Sequence, residues 1–133
     1  MTRWSPELER LRALSIRQPW AWLVVNGHKD IENRSWRTNH RGPLLIHASN
    51  NRSLTTPQNI AAIEKKYRVR LPQKFEFGGI VGVVDVVDCV KTHPSKWKFR
   101  NTWGWVLKNP RRLPFRKCKG AVGFFKPKFR KAS

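Results

Sequence analysis

The sequence predicts an α+β protein in which short strands form a small, mixed, partly closed β-barrel with a few short flanking helices. Strand-like apolar pieces recur between turn residues, and few segments have helical spacing. The strongest strand pattern, residues 79–90, is apolar on both faces, which is typical of a strand covered on both sides. With 133 residues, 39% of them hydrophobic, we expect residues 1–133 to form one domain with a core that needs no disulfides.

The first part of the chain alternates strands and turns around one short helix. Pro19 suits a first helical turn, and Gly27 suits the left-handed residue beyond the end of that helix. On the strand that follows, Glu32, Arg34 and Trp36 share one side because successive strand side chains alternate. The predicted elements are a polar arm over residues 1–12, a strand over 14–16, a helix over 19–26 and a strand over 31–37.

The rest of the chain is richer in strands. Thr56 and Pro57 form a helix start, with Thr56 as the N-cap and Pro57 at the first helical position. Because it is apolar on both faces, the strand over 79–90 is expected to lie centrally. The predicted elements are a strand over 44–48, a helix over 57–67, strands over 79–90, 103–107 and 121–125, and a basic tail over 126–133.

The charge balance favours a nucleic-acid partner. The chain has 28 Lys and Arg against 8 Asp and Glu, a formal net charge of +20. The last acid is Asp88, and residues 89–133 carry fourteen Lys or Arg interleaved with Trp and Phe. Basic groups can neutralise phosphates while exposed aromatic rings stack on bases. An acidic protein is an alternative partner, and a membrane partner is not expected because no basic amphipathic helix or spanning apolar run occurs.

No cofactor and no metal ion are expected. The chain has no P-loop, dinucleotide glycine motif or nucleophile elbow, and its four His have no regular ligand spacing. Cys89 and Cys118 do not form a CxxC pair, so we expect both to be reduced. The N-terminus lacks the apolar centre of a secretory signal, which favours a cytoplasmic location.

The segment Gly27–Arg34 reads GHKDIENR and fits the pattern GxKxxExR. Related pieces flank it in consistent order, namely Gln18–Trp20, Trp36, Arg41–Gly42, His47–Ser49, Gly104–Leu107 and Gly120–Gly123. Together these motifs resemble the ASCH domain (activating-signal-cointegrator homology), a relative of the RNA-binding PUA domain, over residues 14–125. The resemblance implies a PUA-like barrel, in agreement with the strand pattern.

Residue chemistry and this resemblance together select eight candidate contacts to nucleic acid, namely Gln18, Trp20, Lys29, Glu32, Arg34, Trp36, Arg41 and His47. Lys29 could bind a phosphate as a point charge or, if desolvated, act as a base or nucleophile. Glu32 could fix Arg34 for bidentate contact to phosphate or base, or the two could form only a structural salt bridge. Trp20 and Trp36 are candidate stacking platforms, with core packing as the alternative.

The other three candidates have simpler roles. Gln18 carries side-chain donors and acceptors for a base edge, and Arg41 is a loop cation suited to phosphate. His47 could be a general acid or base near neutral pH, or a hydrogen-bonded core residue.

Two hypotheses of function follow. The first is a nucleic-acid-binding module, with RNA preferred over DNA, in which a cleft receives an unstacked base or strand end beside a basic surface. The second is a metal-independent ribonuclease in which Lys29, Glu32 and His47 supply acid–base catalysis and Arg34 holds the phosphate. The family resemblance also brings in an amidohydrolase of modified nucleosides, but its pattern has Thr three residues after the Lys, where this chain has Glu32.

Overall fold

The computed structural model describes residues 1–129, which form one six-stranded sheet and three short helices. The elements in chain order are α1 (Pro6–Glu9), β1 (Ala13–Ile16), α2 (Trp20–Val25), β2 (Ile31–Arg34), β3 (Gly42–Ala48), α3 (Pro57–Tyr67), β4 (Gly79–Val90), β5 (Trp103–Lys117) and β6 (Phe124–Phe125).

The strands lie in the order β2-β5-β4-β3-β1-β6. The pairing of β1 with β3 is parallel and the other four pairings are antiparallel, so the sheet is mixed. The predicted central strand, β4, lies between β3 and β5, and seven of its first eight residues are buried, with Asp85 partly covered. An apolar face on both sides is what a strand in this position requires.

The sheet curls until its two edges approach each other. Phe124 of β6 has its ring centroid 5.5 Å from that of Trp36, just beyond β2, and 5.4 Å from that of Trp105 on β5. Arg34 at the end of β2 donates through Nη2 to the Ser15 carbonyl of β1 at 2.9 Å. We call this line of side-chain contacts the seam. It closes the barrel only in part, which confirms the predicted fold class.

The helices follow their sequence signals closely. Thr56 caps α3 by accepting a hydrogen bond from the Asn59 amide at 3.2 Å, and the helix ends at Tyr67 as predicted. Gly27 follows α2 with φ +82°, the left-handed conformation that a helix end favours. The cluster formed by Leu23, Ile63, Tyr67 and Trp97 packs α2 and α3 against each other and against Ile31 of β2.

β1 and β3 begin one and two residues earlier than predicted, and three other strands differ more in length. β5 continues to Lys117 although it contains Pro110 and Pro114, because its register with β4 shifts near both prolines. β2 ends at Arg34 rather than residue 37, and β6 covers only two of the five residues predicted.

The two ends of the described chain meet on the outside of the sheet. Trp4 donates through Nε1 to the Pro114 carbonyl at 2.8 Å, and its ring lies 5.3 Å from Phe129, edge to face. Residues 126–129 of the predicted basic tail therefore lead into a packed contact, while residues 130–133 lie outside the described residues. No helix within residues 1–129 is both long and apolar enough to cross a membrane.

Candidate functional site

A cleft of about 450 Å³ opens beside the seam, and we call it the inner chamber. Five of the eight predicted contacts line it, namely Trp20, Lys29, Glu32, Arg34 and Trp36. α2 contributes Trp20, the turn after α2 contributes Lys29, and β2 with the residues just after it contributes the other three. The sequence motif and the cleft therefore coincide in this part of the fold.

The end of α2 carries Lys29 into the protein. The amides of His28 and Lys29 both donate to the Leu23 carbonyl, at 2.9 and 3.0 Å, and this turns the chain sharply after Gly27. Lys29 is only 3% exposed, and its Nζ lies 5.6 Å from the centroid of the Trp20 ring. A cation held over an indole ring gains electrostatic stabilisation that partly replaces lost hydration.

Lys29, Glu32 and Arg34 form one ion cluster. Glu32 Oε1 lies 3.5 Å from Lys29 Nζ, and Glu32 Oε2 accepts a hydrogen bond from Arg34 Nε at 2.9 Å. Lys29 Nζ also donates to the Ile31 carbonyl. With both bases protonated, two cations share one carboxylate, so the cluster carries a net charge of +1 and attracts an anion.

Burial changes the acid–base properties of Lys29. Desolvation lowers the pKa of Lys29 from its ordinary value, and the nearby charge of Glu32 opposes this shift without cancelling it. Arg34 contributes a smaller lowering through like-charge repulsion. The amine is therefore easier to deprotonate than an exposed lysine, a property that suits a base or nucleophile as well as an anion site.

Arg34 is the member of the cluster that reaches solvent. Its Nε is bound to Glu32 and its Nη2 to the Ser15 carbonyl, and its side chain remains 23% exposed. Within residues 1–129, Nη1 has no hydrogen-bond partner from the protein. A guanidinium fixed by two bonds keeps its orientation, and the remaining N–H groups can donate to a phosphate or a base.

Gln18 and His47 lie outside the inner chamber, and both are buried and hydrogen-bonded to other protein groups. Gln18 is 2% exposed; its Oε1 accepts from the Trp22 amide at 2.8 Å and its Nε2 donates to the Glu76 carbonyl at 3.0 Å. The side chain thus satisfies the start of α2 and joins it to residue 76. Because its amide oxygen and nitrogen already have protein partners, the predicted contact to a base edge would compete with these two bonds.

His47 is likewise enclosed at 2% exposure. Its Nε2 lies 2.8 Å from the Cys118 carbonyl, which can only accept, so Nε2 carries the hydrogen and Nδ1 accepts from the Ser15 hydroxyl at 3.0 Å. Burial lowers the pKa of His47, which keeps the ring neutral. Neither ring nitrogen is directed to the inner chamber, so the structure does not bring His47 together with Lys29 and Glu32.

Arg41 is exposed just before β3, and the basic C-terminal third contains both buried and exposed aromatic residues. Arg41 does not line the inner chamber; it donates to the carbonyls of Thr38 and His40 and lies 3.8 Å from Asp88. Of the aromatic residues in the last third, Trp97 and Trp105 are core residues, 2% and 0% exposed. These two rings are therefore not available for stacking on bases.

Sequence reasoning missed a loop that joins the site from far along the chain. Asn33 of β2 accepts through Oδ1 from the Phe99 amide at 2.9 Å and from the Thr102 hydroxyl at 3.0 Å. Its Nδ2 donates to the Trp97 carbonyl at 2.9 Å. Asn33 stands between Glu32 and Arg34 in the motif and also lines the inner chamber, and its side chain fixes this loop. Its place inside the motif was the only signal for this role.

The described residues contain no group of three or more His, Cys, Asp or Glu arranged to hold a metal ion. Both cysteines, Cys89 and Cys118, are free thiols. The charged side chains that line the inner chamber are Arg17, Lys29, Glu32 and Arg34, and its aromatic neighbours include Trp20 and Trp36.

A curled, mixed, six-stranded sheet with three short helices is a small α+β domain of the PUA-like class. The family model of the ASCH domain matches residues 14–115, and this chain belongs to the ASCH family. Activating signal cointegrator 1 from Mus musculus and its counterpart from Homo sapiens are each 34% identical to this chain over 113 residues. These alignments cover 75% of this chain but only 19% of each relative, so the chain spans about a fifth of their length.

Proposed function

We propose that this ASCH domain binds nucleic acid and that the inner chamber receives an unstacked base or strand end. The observation that carries this proposal is the Lys29–Glu32–Arg34 cluster, a net-positive group in which Arg34 is fixed by two hydrogen bonds yet retains 23% exposure. Trp20 and Trp36 line the same chamber and can contact a base or ribose. The excess of basic residues, +20 overall, supplies long-range attraction to phosphates.

RNA is the preferred ligand in this proposal. The PUA-like fold supports that choice, because the relatives that this chain resembles are largely RNA-associated. An unpaired strand suits the chamber better than a duplex, since a base must leave its stack to enter a cleft. No membrane partner and no cofactor form part of the proposal, and the cytoplasm is the proposed location.

The test is fluorescence anisotropy with labelled single-stranded RNA, the matching DNA and duplex RNA at physiological ionic strength. Arg34→Gln is compared with Arg41→Gln, which removes the same charge at a site outside the chamber. We expect Arg34→Gln to weaken binding of single-stranded RNA at least tenfold, roughly the effect of losing one charge-assisted bidentate contact. Equal losses in the two variants would show that binding depends on total charge alone and would overturn the role of the chamber.

The lowered pKa of Lys29 favours one second candidate, a metal-independent ribonuclease. A neutral Lys29 amine would take the proton of a ribose 2′-hydroxyl, whose oxygen then bonds to phosphorus as the 5′-oxygen leaves. The resulting ammonium would return its proton to that leaving oxygen, with Arg34 beside the phosphate. This version omits His47, because that side chain is enclosed away from the chamber. An amidohydrolase remains the less favoured form of this candidate.

Catalysis is tested by incubating the protein with labelled RNA in EDTA and separating the products on a denaturing gel. Lys29→Met and Arg41→Gln are run beside the wild type, because a contaminating nuclease would persist in every sample. Cleavage by wild type and Arg41→Gln that is absent from Lys29→Met would establish a catalytic lysine. Intact RNA in all three samples, together with saturable binding, would leave the binding module as the function.

A further inference from the structure

A second and larger cavity continues from the inner chamber. This cavity, the outer chamber, has a volume of about 820 Å³ and is lined largely by the segment from Lys91 to Trp103. Ser35, Phe99 and Thr102 line both chambers. The two cavities therefore adjoin along one boundary, and a ligand that fills the inner chamber has a direct path into the outer one.

The side chains that line the outer chamber carry positive charge. Its lining includes Lys91, Lys98 and Arg100 and contains no Asp or Glu. Lys98 has a structural task, because its Nζ donates to the carbonyls of Phe99 and Thr102 at 2.6 and 2.8 Å. Lys91 and Arg100 are exposed, so both can neutralise phosphates without giving up these loop contacts.

Aromatic surface accompanies this charge. Phe99 stands at the boundary with 37% exposure, and its ring centroid lies 6.1 Å from that of Trp20, edge to face. Trp103 is half-buried in the outer chamber, with the amine of Lys91 5.2 Å from its ring centroid. Aromatic rings can stack on bases while neighbouring cations contact phosphates, so this arrangement suits a single-stranded nucleic acid.

The loop that presents Phe99 is held from two directions. Asn33 accepts from the Phe99 amide and donates to the Trp97 carbonyl, which ties the loop to the strand that carries Glu32 and Arg34. Lys98 holds the loop from within through the carbonyls of Phe99 and Thr102. A ring on a fixed backbone loses little conformational freedom when a base stacks on it, which favours binding.

We propose that the outer chamber binds the nucleotide adjoining the one in the inner chamber, so that the ligand is a single-stranded oligonucleotide that passes over Phe99. This inference rests on the proposed function and deepens it, because a free nucleoside or mononucleotide would fill only the inner chamber. The strand must be unpaired at this point, since a base can stack on Phe99 only when that face is not covered by its neighbour.

The first experiment measures affinity against length, using a labelled mononucleotide and single-stranded RNA of two, three and six nucleotides. Wild type is compared with Phe99→Leu, which keeps apolar bulk but removes the ring. The matched control is Phe115→Leu, because Phe115 has the same 37% exposure and lines neither chamber. We expect Phe99→Leu to bind the longer RNAs roughly tenfold more weakly, the order of one lost base stack. Because Phe99 also borders the inner chamber, the mononucleotide should lose affinity too, but by a smaller factor than the longer RNAs.

The second experiment measures the salt dependence of binding to the six-nucleotide RNA. Lys91→Gln with Arg100→Gln is compared with Lys108→Gln and Arg112→Gln, an exposed pair on β5 that removes equal charge outside both chambers. Each phosphate contact on a single strand contributes about 0.7 to the slope of log affinity against log salt, so the first pair should lower it by about 1.4. The β5 pair should change this slope much less.

The possible results separate the inference from the proposed function. An affinity that rises with RNA length, and that Phe99→Leu reduces more for the longer RNAs than for the mononucleotide, supports the outer chamber. A mononucleotide that binds as tightly as the six-nucleotide RNA, with no selective effect of Phe99→Leu, overturns the inference and leaves the proposed function intact. Absence of saturable binding by any of these ligands overturns both.

Discussion

Two buried polar clusters meet at Ser15. They differ in whether hydrogen-bond donors and charge remain without protein partners. On one side, the Ser15 carbonyl accepts from Arg34, which belongs to the ion cluster with Lys29 and Glu32. On the other side, the Ser15 hydroxyl donates to His47, whose second nitrogen donates to the Cys118 carbonyl. The ion cluster keeps a net positive charge and an exposed guanidinium edge, whereas the histidine cluster is neutral and closed.

Under the proposed function, this difference separates the groups expected to bind a ligand from the groups that support the fold. A buried polar group whose donors and acceptors all have protein partners mainly stabilises the fold, because a ligand can gain nothing from it without breaking a bond. A cluster at a cleft that has donors without protein partners can bind a ligand without breaking an existing hydrogen bond. We therefore expect changes near His47 to alter stability and changes near Arg34 to alter binding.

The largest effect is expected for His47→Ala. The change removes two buried hydrogen bonds, leaves the Cys118 carbonyl unsatisfied and opens a void next to Phe125, so the free energy of unfolding should fall by about 3 kcal/mol. Urea denaturation measures this loss. RNA affinity of the folded variant should stay within about twofold of wild type. Weaker binding without a loss of stability would place His47 in the ligand site and break the comparison.

Arg34→Lys should have the next largest effect, and on affinity rather than stability. Lysine keeps the charge but cannot bond to Glu32 and the Ser15 carbonyl while presenting a planar pair of donors. We expect RNA binding to weaken by about 2 kcal/mol, roughly 30-fold, as measured by anisotropy. Arg41→Lys is the control, and its affinity should match wild type. An unchanged affinity in Arg34→Lys would mean that only its charge matters.

Lys29→Met should weaken RNA binding without lowering the stability of the fold. Desolvation outweighs the attraction of Glu32 and lowers the pKa of Lys29, so the fold does not favour the charged amine. Methionine fills similar space, and Glu32 keeps its bond to Arg34. Thermal unfolding should therefore occur at an equal or higher temperature, while RNA affinity falls about tenfold through loss of one phosphate or base contact. A marked loss of stability would show that the ion pair mainly supports the fold.

The smallest effect is a dependence of stability on pH. Burial lowers the pKa of His47, so the unfolded chain takes up a proton near pH 6.5 that the folded protein resists. Because the unfolded state then binds more protons, wild-type stability should fall as the pH drops below about 6.5. Denaturation of wild type and His47→Gln at several pH values tests this, and the variant should show a shallower decline. Parallel curves would assign the pH dependence to other groups.

Much of the fold followed from local signals. The boundaries of β4 and α3 were confirmed because an uninterrupted apolar run and a Thr-Pro helix start are both readable within a few residues. β5 was predicted too short because Pro110 and Pro114 interrupt its pattern, and only pairing with β4 shows that bulges accommodate them. Tertiary pairing, which local pattern does not contain, decided this strand.

The site was predictable to the extent that its residues are close in sequence. Lys29, Glu32 and Arg34 come from one motif, and alternation along a strand already placed Glu32 and Arg34 together. Gln18 and His47 are equally suitable as ligand contacts by residue type. The sequence does not show whether such a polar side chain bonds to a protein carbonyl or to a ligand. Phe99 joined the site through Asn33, more than sixty residues away, so only the folded chain brings them together.

The seam places the inner chamber where the curled sheet is joined by side chains instead of a continuous backbone ladder. Rotating Trp36 or releasing Arg34 from Ser15 would widen the chamber while every strand pairing stays in place. If the chamber binds a base as proposed, its aperture could adapt by breaking side-chain contacts alone. Substitutions along the seam would then retune which base is accepted while the strand order is preserved.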